Sequence, residues 1–501
     1  MTVTLEDVTI VVPTIGRPSL AVLLNSLATS AGPSPAEVVV VDDRGHGAPP
    51  LSVPPLVGGA PVRVLSSAGR GPAAARNRGW RAARTDWIAF LDDDVVVGSS
   101  WRDDLAVDLA GSGSDVAGVQ GMVDVPLPQS RRPTDWERST AGLSMAQWIT
   151  ADMAYRRAAL QQCGGFDERF RRAFREDSDL ALRVLRSGHR LTQGRRRTTH
   201  PVRQVDRWVS VRSQAGNADD VLMARLHGRG WREAAGALGG RRTKHFAITA
   251  AALTAAGAAL AGRRPLAVAA TTAWLAGTVE FASARIAPGP RTAAEVGPML
   301  LTSLVIPPAA VWHTLRGAAV HRGVGAWRPM PDAVLFDRDG TLVVDLPYNA
   351  SPDLVTPVPG ARESLDRLRA AGVPVGVVTN QSGIARGLLT RNEVDAVNAR
   401  VEQLLGPFAV WQVCPHDTGD RCECRKPAPG MVREACRVLG VEPARTVLVG
   451  DIASDIGAAA SAGATGLLVP NEATSPEDLA EARASAPDLV AATDLILGGS
   501  W

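Results

Sequence analysis

Short apolar runs alternate with amphipathic stretches through about residue 215. Val8–Val12, Glu37–Val41 and Trp87–Leu91 are largely apolar and end in polar residues. Runs of this kind, lacking a strict polar alternation, predict strands buried on both faces, as in a parallel sheet. Their alternation with helical patterns predicts a doubly wound α/β sheet, in which ligands sit at the carboxyl ends of strands. The same alternation resumes from Asp332 to about Leu497, with strands expected at Ala333–Phe336, Val373–Thr379 and Thr446–Gly450.

The intervening stretch has a different pattern. Phe246–Ala261 and Pro265–Ala284 are apolar, the second interrupted only by Glu280, and Val296–Leu315 is a third run broken by Pro298, Pro307 and Pro308. A bilayer span needs about 20 apolar residues, so the first run is short. Arg241, Arg242, Lys244 and His245 precede it and Arg263 and Arg264 follow, which leaves no positive-inside asymmetry. Both a membrane hairpin or interfacial anchor and a buried helical linker fit this pattern. His321–Pro331, with its glycines and prolines, is a linker by composition. The expected organisation is therefore a first α/β domain over 1–215, a helical, membrane-associating segment over 216–328, and a second α/β domain over 329–501.

Length agrees with this count, since 501 residues at roughly 150 per domain suggest about three. A net charge of +3 gives no support for nucleic-acid binding. Of the five cysteines, Cys163 stands alone, whereas Cys414, Cys422, Cys424 and Cys436 lie close together. The N-terminus enters a strand pattern directly, without a basic region and cleavage site. A cytoplasmic location is expected, at the cytoplasmic face of a membrane if the helices associate with one, and the clustered cysteines then suggest a metal site.

The chemistry of the second α/β domain is written at its strand ends. Ala333–Phe336 runs into Asp337-Arg338-Asp339-Gly340-Thr341, and the next strand into Thr379-Asn380-Gln381-Ser382-Gly383. Lys426 follows within Cys424-Arg425-Lys426-Pro427, and a later strand ends in Gly450-Asp451, with Asp455 four residues on. This set suits phosphoryl transfer. One carboxylate attacks phosphorus, a second protonates the leaving oxygen, and Mg²⁺ with a lysine offsets charge on the equatorial oxygens. Asp337 and Asp451 offer the hard oxygen ligands that Mg²⁺ prefers.

These four elements resemble the motifs of the haloacid dehalogenase superfamily of phosphatases, over most of 332–475. The resemblance implies Asp337 as nucleophile and Asp339 as general acid/base. It also implies Thr379 and Asn380 as phosphate holders, Lys426 as stabiliser of the phosphate, and Asp337, Asp451 and the Asp339 carbonyl as Mg²⁺ ligands. Cys414-Pro415-His416 and Cys422-Glu423-Cys424 offer three thiolates and an imidazole, the ligand set of a closed structural Zn²⁺ site. The runs Thr379–Gly387 and Cys424–Met431 resemble the D-glycero-D-manno-heptose 1,7-bisphosphate phosphatases and, more distantly, the histidinol-phosphate phosphatases. In that comparison Arg425 is a substrate-phosphate contact and Asp345–Thr356 is a substrate loop containing Tyr348; Cys436 lies outside the motif and is expected in the core.

The first α/β domain carries its own strand-end landmarks. These are Val12-Pro13-Thr14, Val41-Asp42-Asp43, Arg70, Ala75-Arg76-Asn77-Arg78-Gly79, Leu91-Asp92-Asp93-Asp94 and Arg175-Glu176-Asp177. A D-x-D at a strand end is a hard-cation site, and Mg²⁺ or Mn²⁺ there would stabilise a diphosphate leaving group. A distant carboxylate could deprotonate an acceptor hydroxyl. Residues 7–210 resemble the family 2 nucleotide-sugar glycosyltransferases of the GT-A fold. The match implies that Pro13, Thr14, Asp42 and Arg70 frame a nucleotide and that Asp92 and Asp94 form the D-x-D, with Asp94 a direct Mg²⁺ or Mn²⁺ ligand. Asp177 is then the base of an inverting transfer, and His200 a further metal or pyrophosphate ligand. Gln204–Trp208 fits the QxxRW pattern of processive polysaccharide synthases, but without their strong membrane spans, which favours a single-sugar transferase.

The sequence thus predicts a bifunctional enzyme. A Mg²⁺-dependent phosphatase would convert the heptose bisphosphate to heptose 1-phosphate. A glycosyltransferase would use a nucleotide sugar and a glycan or lipid-linked acceptor. The alternative keeps the phosphatase, acting on histidinol phosphate or another sugar phosphate, beside a non-catalytic glycan-binding or targeting module.

Overall fold

The computed structural model describes residues 5–237, 239–499 and 501. It divides into two units, one running to Gln161 and resuming at Gly165–Ala326, the other comprising Gln162–Gly164 and Trp327–Trp501.

The first unit holds strands β1 (Val8–Thr14), β2 (Glu37–Asp42), β3 (Leu56–Val57), β4 (Ala60–Ser66), β5 (Trp87–Leu91), β6 (Val96–Val97), β7 (Val116–Asp124), β8 (Asp152–Arg156) and β9 (Arg190–Thr199). Their order in one sheet is β3-β4-β2-β1-β5-β8-β7-β9-β6. β4, β2, β1 and β5 are parallel neighbours, and β1 and β5 are buried along their whole length. This half is the doubly wound arrangement the apolar runs predict. The other half is not: β8 lies antiparallel between β5 and β7. The parallel pairing brings Thr14 beside Asp42, and β5 delivers Asp92–Asp94 at the same edge.

Three long helices complete this unit: Arg242–Leu260, Arg264–Ile286 and Ala293–Val320. Ile248, Phe281 and Ile306 form their common core. The expected break at the prolines does not occur, and one 28-residue helix passes through Pro298, Pro307 and Pro308. Each interior proline removes a backbone hydrogen bond and crowds the preceding turn. Here Ile306, Pro307, Ala310, Thr314 and Gly317 are buried, so tertiary packing holds the helix through these positions. Gly317 permits close approach to the helix Gly216–His227, because a β-carbon there would fall 2.7 Å from Ala218 Cα.

The second unit is a five-stranded parallel sheet. Its strands are β10 (Ala333–Phe336), β11 (Val375–Asn380), β12 (Val410–Cys414), β13 (Thr446–Gly450) and β14 (Thr465–Leu468), in the order β12-β11-β10-β13-β14. β11 starts two residues later than its apolar run suggests. The central strands are buried throughout, and amphipathic helices such as Ala361–Ala370 and Gly430–Leu439 cover them. Parallel pairing places Asp337, Gln381, Pro415 and Asp451 just past the carboxyl ends of four strands, at one edge.

Candidate active sites

In the second unit the four motif segments meet around Lys426. Its Nζ lies 2.7 Å from Asp337 Oδ1 and 2.6 Å from Asp455 Oδ1, and donates to the Val378 carbonyl at 3.0 Å. Lys426 is held in turn by Asn380, whose Oδ1 accepts from the Lys426 amide at 3.1 Å. Burial alone would lower the ammonium pKa, but Asp337 and Asp455 outweigh it and raise it. Burial pushes Asp337 up to about 8, with Asp455 and Asp339 adding to the effect of desolvation and Lys426 opposing it.

Asp451 closes the other side. Its Oδ1 accepts from Thr341 Oγ1 at 3.0 Å and its Oδ2 from Asn471 Nδ2 at 2.8 Å. Gly340 has φ +77°, and a β-carbon there would fall 2.4 Å from Asp451 Oδ2, so this turn requires glycine. The Asp339 carboxylate accepts from Arg338 Nε at 3.0 Å and Gln381 Nε2 at 2.8 Å, and Gln381 also reaches Thr379 Oγ1 at 2.9 Å. Asp337, Asp451 and Asp455 are all buried, with carboxylate oxygens within 4.8 Å of one another. Three buried carboxylates facing one ammonium leave a negative excess, and a hard divalent cation suits that donor set.

The cysteine loop converges as its spacing suggests. Cys414, His416, Cys422 and Cys424 offer ligand atoms within 4.8 Å of one another. Cys424 Sγ is 3.3 Å from Cys414 Sγ, 3.5 Å from Cys422 Sγ and 3.2 Å from His416 Nδ1. A tetrahedron with Zn–S bonds of about 2.3 Å has edges of about 3.8 Å, close to these separations. Burial pushes the Cys414 thiol up to about 12 and also raises Cys424, whereas at Cys422 burial is outweighed by hydrogen bonds from the Arg425 and Cys424 amides, which lower it to about 7; a bound cation would ionise all three. Arg425 lies beside the loop, its Nη1 donating to the His416 carbonyl at 3.2 Å. Asp417, from the same loop, pairs with Arg386 at 2.7 Å, and Arg386 donates to Tyr348 Oη at 2.7 Å. Cys436 is buried in the core, as expected.

The first unit has a cavity of about 850 Å³. Pro13, Thr14, Arg70, Asp92, Asp94, Asp177 and His200 all line it. Asp42 does not. Arg44 holds the Asp42 carboxylate at 2.7 Å, and the neighbouring Asp43 faces the cavity instead, accepting from Ser67 Oγ and the Gly71 amide. Gln204 and Arg207 are exposed and off the cavity, whereas Arg203 lines it. Arg76 is buried and joins two site segments, donating to Asp92 at 2.7 Å and Glu176 at 2.8 Å. Burial pushes Glu176 up to about 8 against the pull of Arg76. Burial also raises Asp94, with Asp92 adding to it, and raises Asp177. His200 Nδ1 donates a hydrogen bond to the Pro201 carbonyl at 3.2 Å, and its Nε2 lies 3.5 Å from Asp94 Oδ1. A divalent cation between the two would satisfy both.

Family models match in the same places. The glycosyl transferase family 2 model matches residues 9–163, the haloacid dehalogenase-like hydrolase model 334–403, and a HAD-hydrolase-like model 423–495. A D-glycero-beta-D-manno-heptose-1,7-bisphosphate 7-phosphatase of Pseudomonas aeruginosa is 39% identical over 131 residues, 25% of this chain and 74% of that protein. The enzyme of the same name from Bordetella bronchiseptica is 38% identical over 141 residues, 27% of this chain and 79% of that one. The chain belongs to the heptose-bisphosphate phosphatase family of haloacid dehalogenase-like hydrolases. It carries this phosphatase fused to a family 2 glycosyltransferase.

Among solved structures, the B. bronchiseptica D,D-heptose 1,7-bisphosphate phosphatase with magnesium and phosphate is 34% identical, with TM-score 0.30, over 33% of the fused chain and 98% of that chain. A mannosyltransferase from Pyrobaculum calidifontis with GDP-Man and Mn²⁺ is 18% identical, with TM-score 0.34, over 63% of this chain and 86% of that one. Within the phosphatase unit, Asn471 is the site residue with no sequence signal. It comes from the loop after β14, 20 residues beyond Asp451, and also donates to the Gly340 carbonyl at 2.9 Å. In the transferase unit, Arg17 follows the first strand end without a motif that marks its role, and it pairs with Asp93 at 2.9 Å at the cavity wall.

Proposed function

We propose that the phosphatase unit removes the 7-phosphate of D-glycero-D-manno-heptose 1,7-bisphosphate through a phospho-aspartate on Asp337, leaving heptose 1-phosphate. The observation that carries this is the placement of Lys426 between Asp337 and Asp455 with Asp451 alongside. The names of the relatives supply the substrate. Asp337 Oδ attacks phosphorus while Asp339 gives a proton to the leaving sugar oxygen. Asp339 then takes a proton from the water that hydrolyses the acyl phosphate. Lys426 and the Thr379–Asn380 turn hold the phosphate oxygens. Mg²⁺ held by Asp337, Asp451 and the Asp339 carbonyl would offset phosphoryl charge. Zn²⁺ held by Cys414, His416, Cys422 and Cys424 would fix the loop from which Arg425 reaches a substrate phosphate. Borohydride reduction during turnover tests the intermediate. Homoserine at position 337 is expected with substrate and absent without it; its absence in both cases would discard the covalent route.

For the transferase unit we infer an inverting transfer from a nucleotide sugar. Pro13, Thr14 and Arg70 border the nucleotide, Asp94 and His200 would hold Mg²⁺ or Mn²⁺ at its diphosphate, and Asp177 takes the acceptor proton. The cavity that joins these residues supports this reading over a binding module. Nucleotide-sugar turnover lost in Asp177→Asn is the check; full turnover in that variant would remove the assigned base. A fused phosphatase that yields a sugar 1-phosphate further suggests that the transferred sugar is a nucleotide-activated heptose.

We also infer cytoplasmic-face membrane association. Helices Arg264–Ile286 and Ala293–Val320 are long and apolar enough to cross a bilayer, and only 22% and 33% of their apolar windows are buried. Leu260, Val268, Trp312 and Leu315 are exposed on the three-helix segment. Sedimentation with phosphatidylcholine vesicles tests it, and recovery wholly in the supernatant would reject it.

A further inference from the structure

Seven arginines line the transferase cavity. Five have a carboxylate within 4 Å: Arg17 with Asp93, Arg70 with Glu168, Arg76 with Asp92 and Glu176, Arg203 with Asp94, and Arg212 with Asp206. Among the described residues, Arg171 and Arg172 have none. Their polar contacts are to backbone carbonyls, Arg171 Nη1 to Arg70 at 3.5 Å and Arg172 Nη2 to Arg212 at 3.3 Å. Both arginines are exposed, and they sit on the segment that leads into the helix Glu176–Arg186, which bears Asp177.

The wall on the Arg172 side is tied to the apolar helices. Buried Arg285, on the helix Arg264–Ile286, donates to Asp135 Oδ2 at 2.7 Å, Ser210 Oγ at 3.1 Å, Thr302 Oγ1 at 2.9 Å and Ser303 Oγ at 3.1 Å. Glu295 accepts from the Asp135 amide at 2.8 Å. Asp135 opens the helix whose Trp136, Ser139 and Thr140 line the cavity, and Ser210 lies between the lining residues Val209 and Arg212. Arg172 is within electrostatic reach of His313 on the helix Ala293–Val320 and of Asp219. His313 Nδ1 is buried without a partner, and its neighbours Trp312 and Leu315 are exposed. Arg172, with no carboxylate within 4 Å, therefore adjoins the wall that is tied to the apolar helices, and Arg171 precedes it in the chain.

We propose that the glycosyl acceptor is an amphiphile whose phosphate is read by Arg172, with Arg171 beside it, and whose apolar tail lies along the outward faces of the helical segment. This rests on the transfer reading above. A guanidinium matches phosphate in charge and in hydrogen-bond geometry, and a neutral acceptor would use neither arginine. In the transfer, the acceptor hydroxyl oxygen bonds to the anomeric carbon, the bond from that carbon to the diphosphate breaks, and the hydroxyl proton goes to Asp177. The nucleoside diphosphate leaves, and the acceptor phosphate is unchanged.

The full chain carrying Asp337→Asn, which does not hydrolyse the probe, is titrated with farnesyl phosphate, farnesol and inorganic phosphate. Tryptophan fluorescence is the readout, and Trp136→Phe identifies the part of the signal that comes from the cavity. Farnesyl phosphate should bind at least about tenfold more tightly than farnesol or inorganic phosphate. Arg171→Ala with Arg172→Ala should bring it to within about threefold of farnesol, and Arg172→Lys should restore part of the difference. Equal affinity for farnesyl phosphate and inorganic phosphate would overturn the amphiphile. Equal affinity for farnesyl phosphate and farnesol, or a preference that survives the double variant, would overturn the phosphate assignment. UDP and GDP are titrated with Mn²⁺ in parallel. If a nucleotide binds and the farnesyl phosphate preference is missing, the acceptor assignment alone falls; if neither nucleotide binds, the transfer reading falls and takes the acceptor with it.

Discussion

Lys426 Nζ stands 2.7 Å from Asp337 Oδ1 in a site where both side chains are almost wholly buried. The ammonium opposes the desolvation that raises the Asp337 pKa, and it remains in place to meet phosphate oxygens. Lys426→Ala should lower phosphatase kcat roughly 100- to 1,000-fold, because a preorganised cation aimed at developing charge is lost. It should also lower the unfolding midpoint of this unit, since Asp337 and Asp455 are left buried without their cation. Phosphate release and a thermal melt on the same sample check both effects.

The cysteine loop predicts a metal that acts on structure and not on the reacting atoms themselves. Cys424→Ser should remove about one equivalent of bound zinc by elemental analysis. Phosphatase kcat/KM should fall with it, because Arg425 and Lys426 follow Cys424 directly. Magnesium added in excess should not restore the loss.

The transferase cavity separates binding from proton transfer. Asp94→Ala should abolish Mn²⁺-dependent nucleotide binding measured by calorimetry. Asp177→Asn should leave that binding intact and lower transfer by roughly 100- to 10,000-fold.

Asp219 gives a pH signature. It is buried, its Oδ2 has no hydrogen-bond partner, and burial raises its pKa to about 6, with Arg172 and Arg175 opposing. A carboxyl whose folded pKa exceeds its unfolded value of 3.8 costs no stability below pH 3.8. Stability then falls as pH rises to about 6, because only the unfolded chain ionises freely in that window. Asp219→Asn should therefore stabilise the transferase unit by about 1–3 kcal/mol at pH 8 and by little at pH 4. Denaturant melts at the two pH values measure the difference.

Much of this was legible in the chain because strand-end motifs carry both structure and chemistry. Trp87–Leu91, Ala333–Phe336 and Thr446–Gly450 are strands over the residues their apolar runs mark. What escaped depends on three-dimensional detail. Asp42 and Asp43 are adjacent and chemically identical, and only the turn after β2 decides that Asp43 faces the cavity. The antiparallel β8 has the same buried character as the parallel strands β1 and β5, so composition does not reveal its direction. Asn471 reaches Asp451 through the fold of a loop, with no motif to mark it. The prolines of Ala293–Val320 read as breaks because local propensity cannot see the packing that overrides it.

Hydrolysis of a heptose bisphosphate through Asp337 is the reaction on which the proposed function rests. The most direct test is phosphate release by the full chain with Mg²⁺, comparing both anomers of D-glycero-D-manno-heptose 1,7-bisphosphate with histidinol phosphate and using Asp337→Asn as the blank. We predict fast release from one heptose anomer, with one phosphate retained on the sugar, little release from histidinol phosphate, and none from the blank. Preferred release from histidinol phosphate, or release undiminished in Asp337→Asn, would contradict the account.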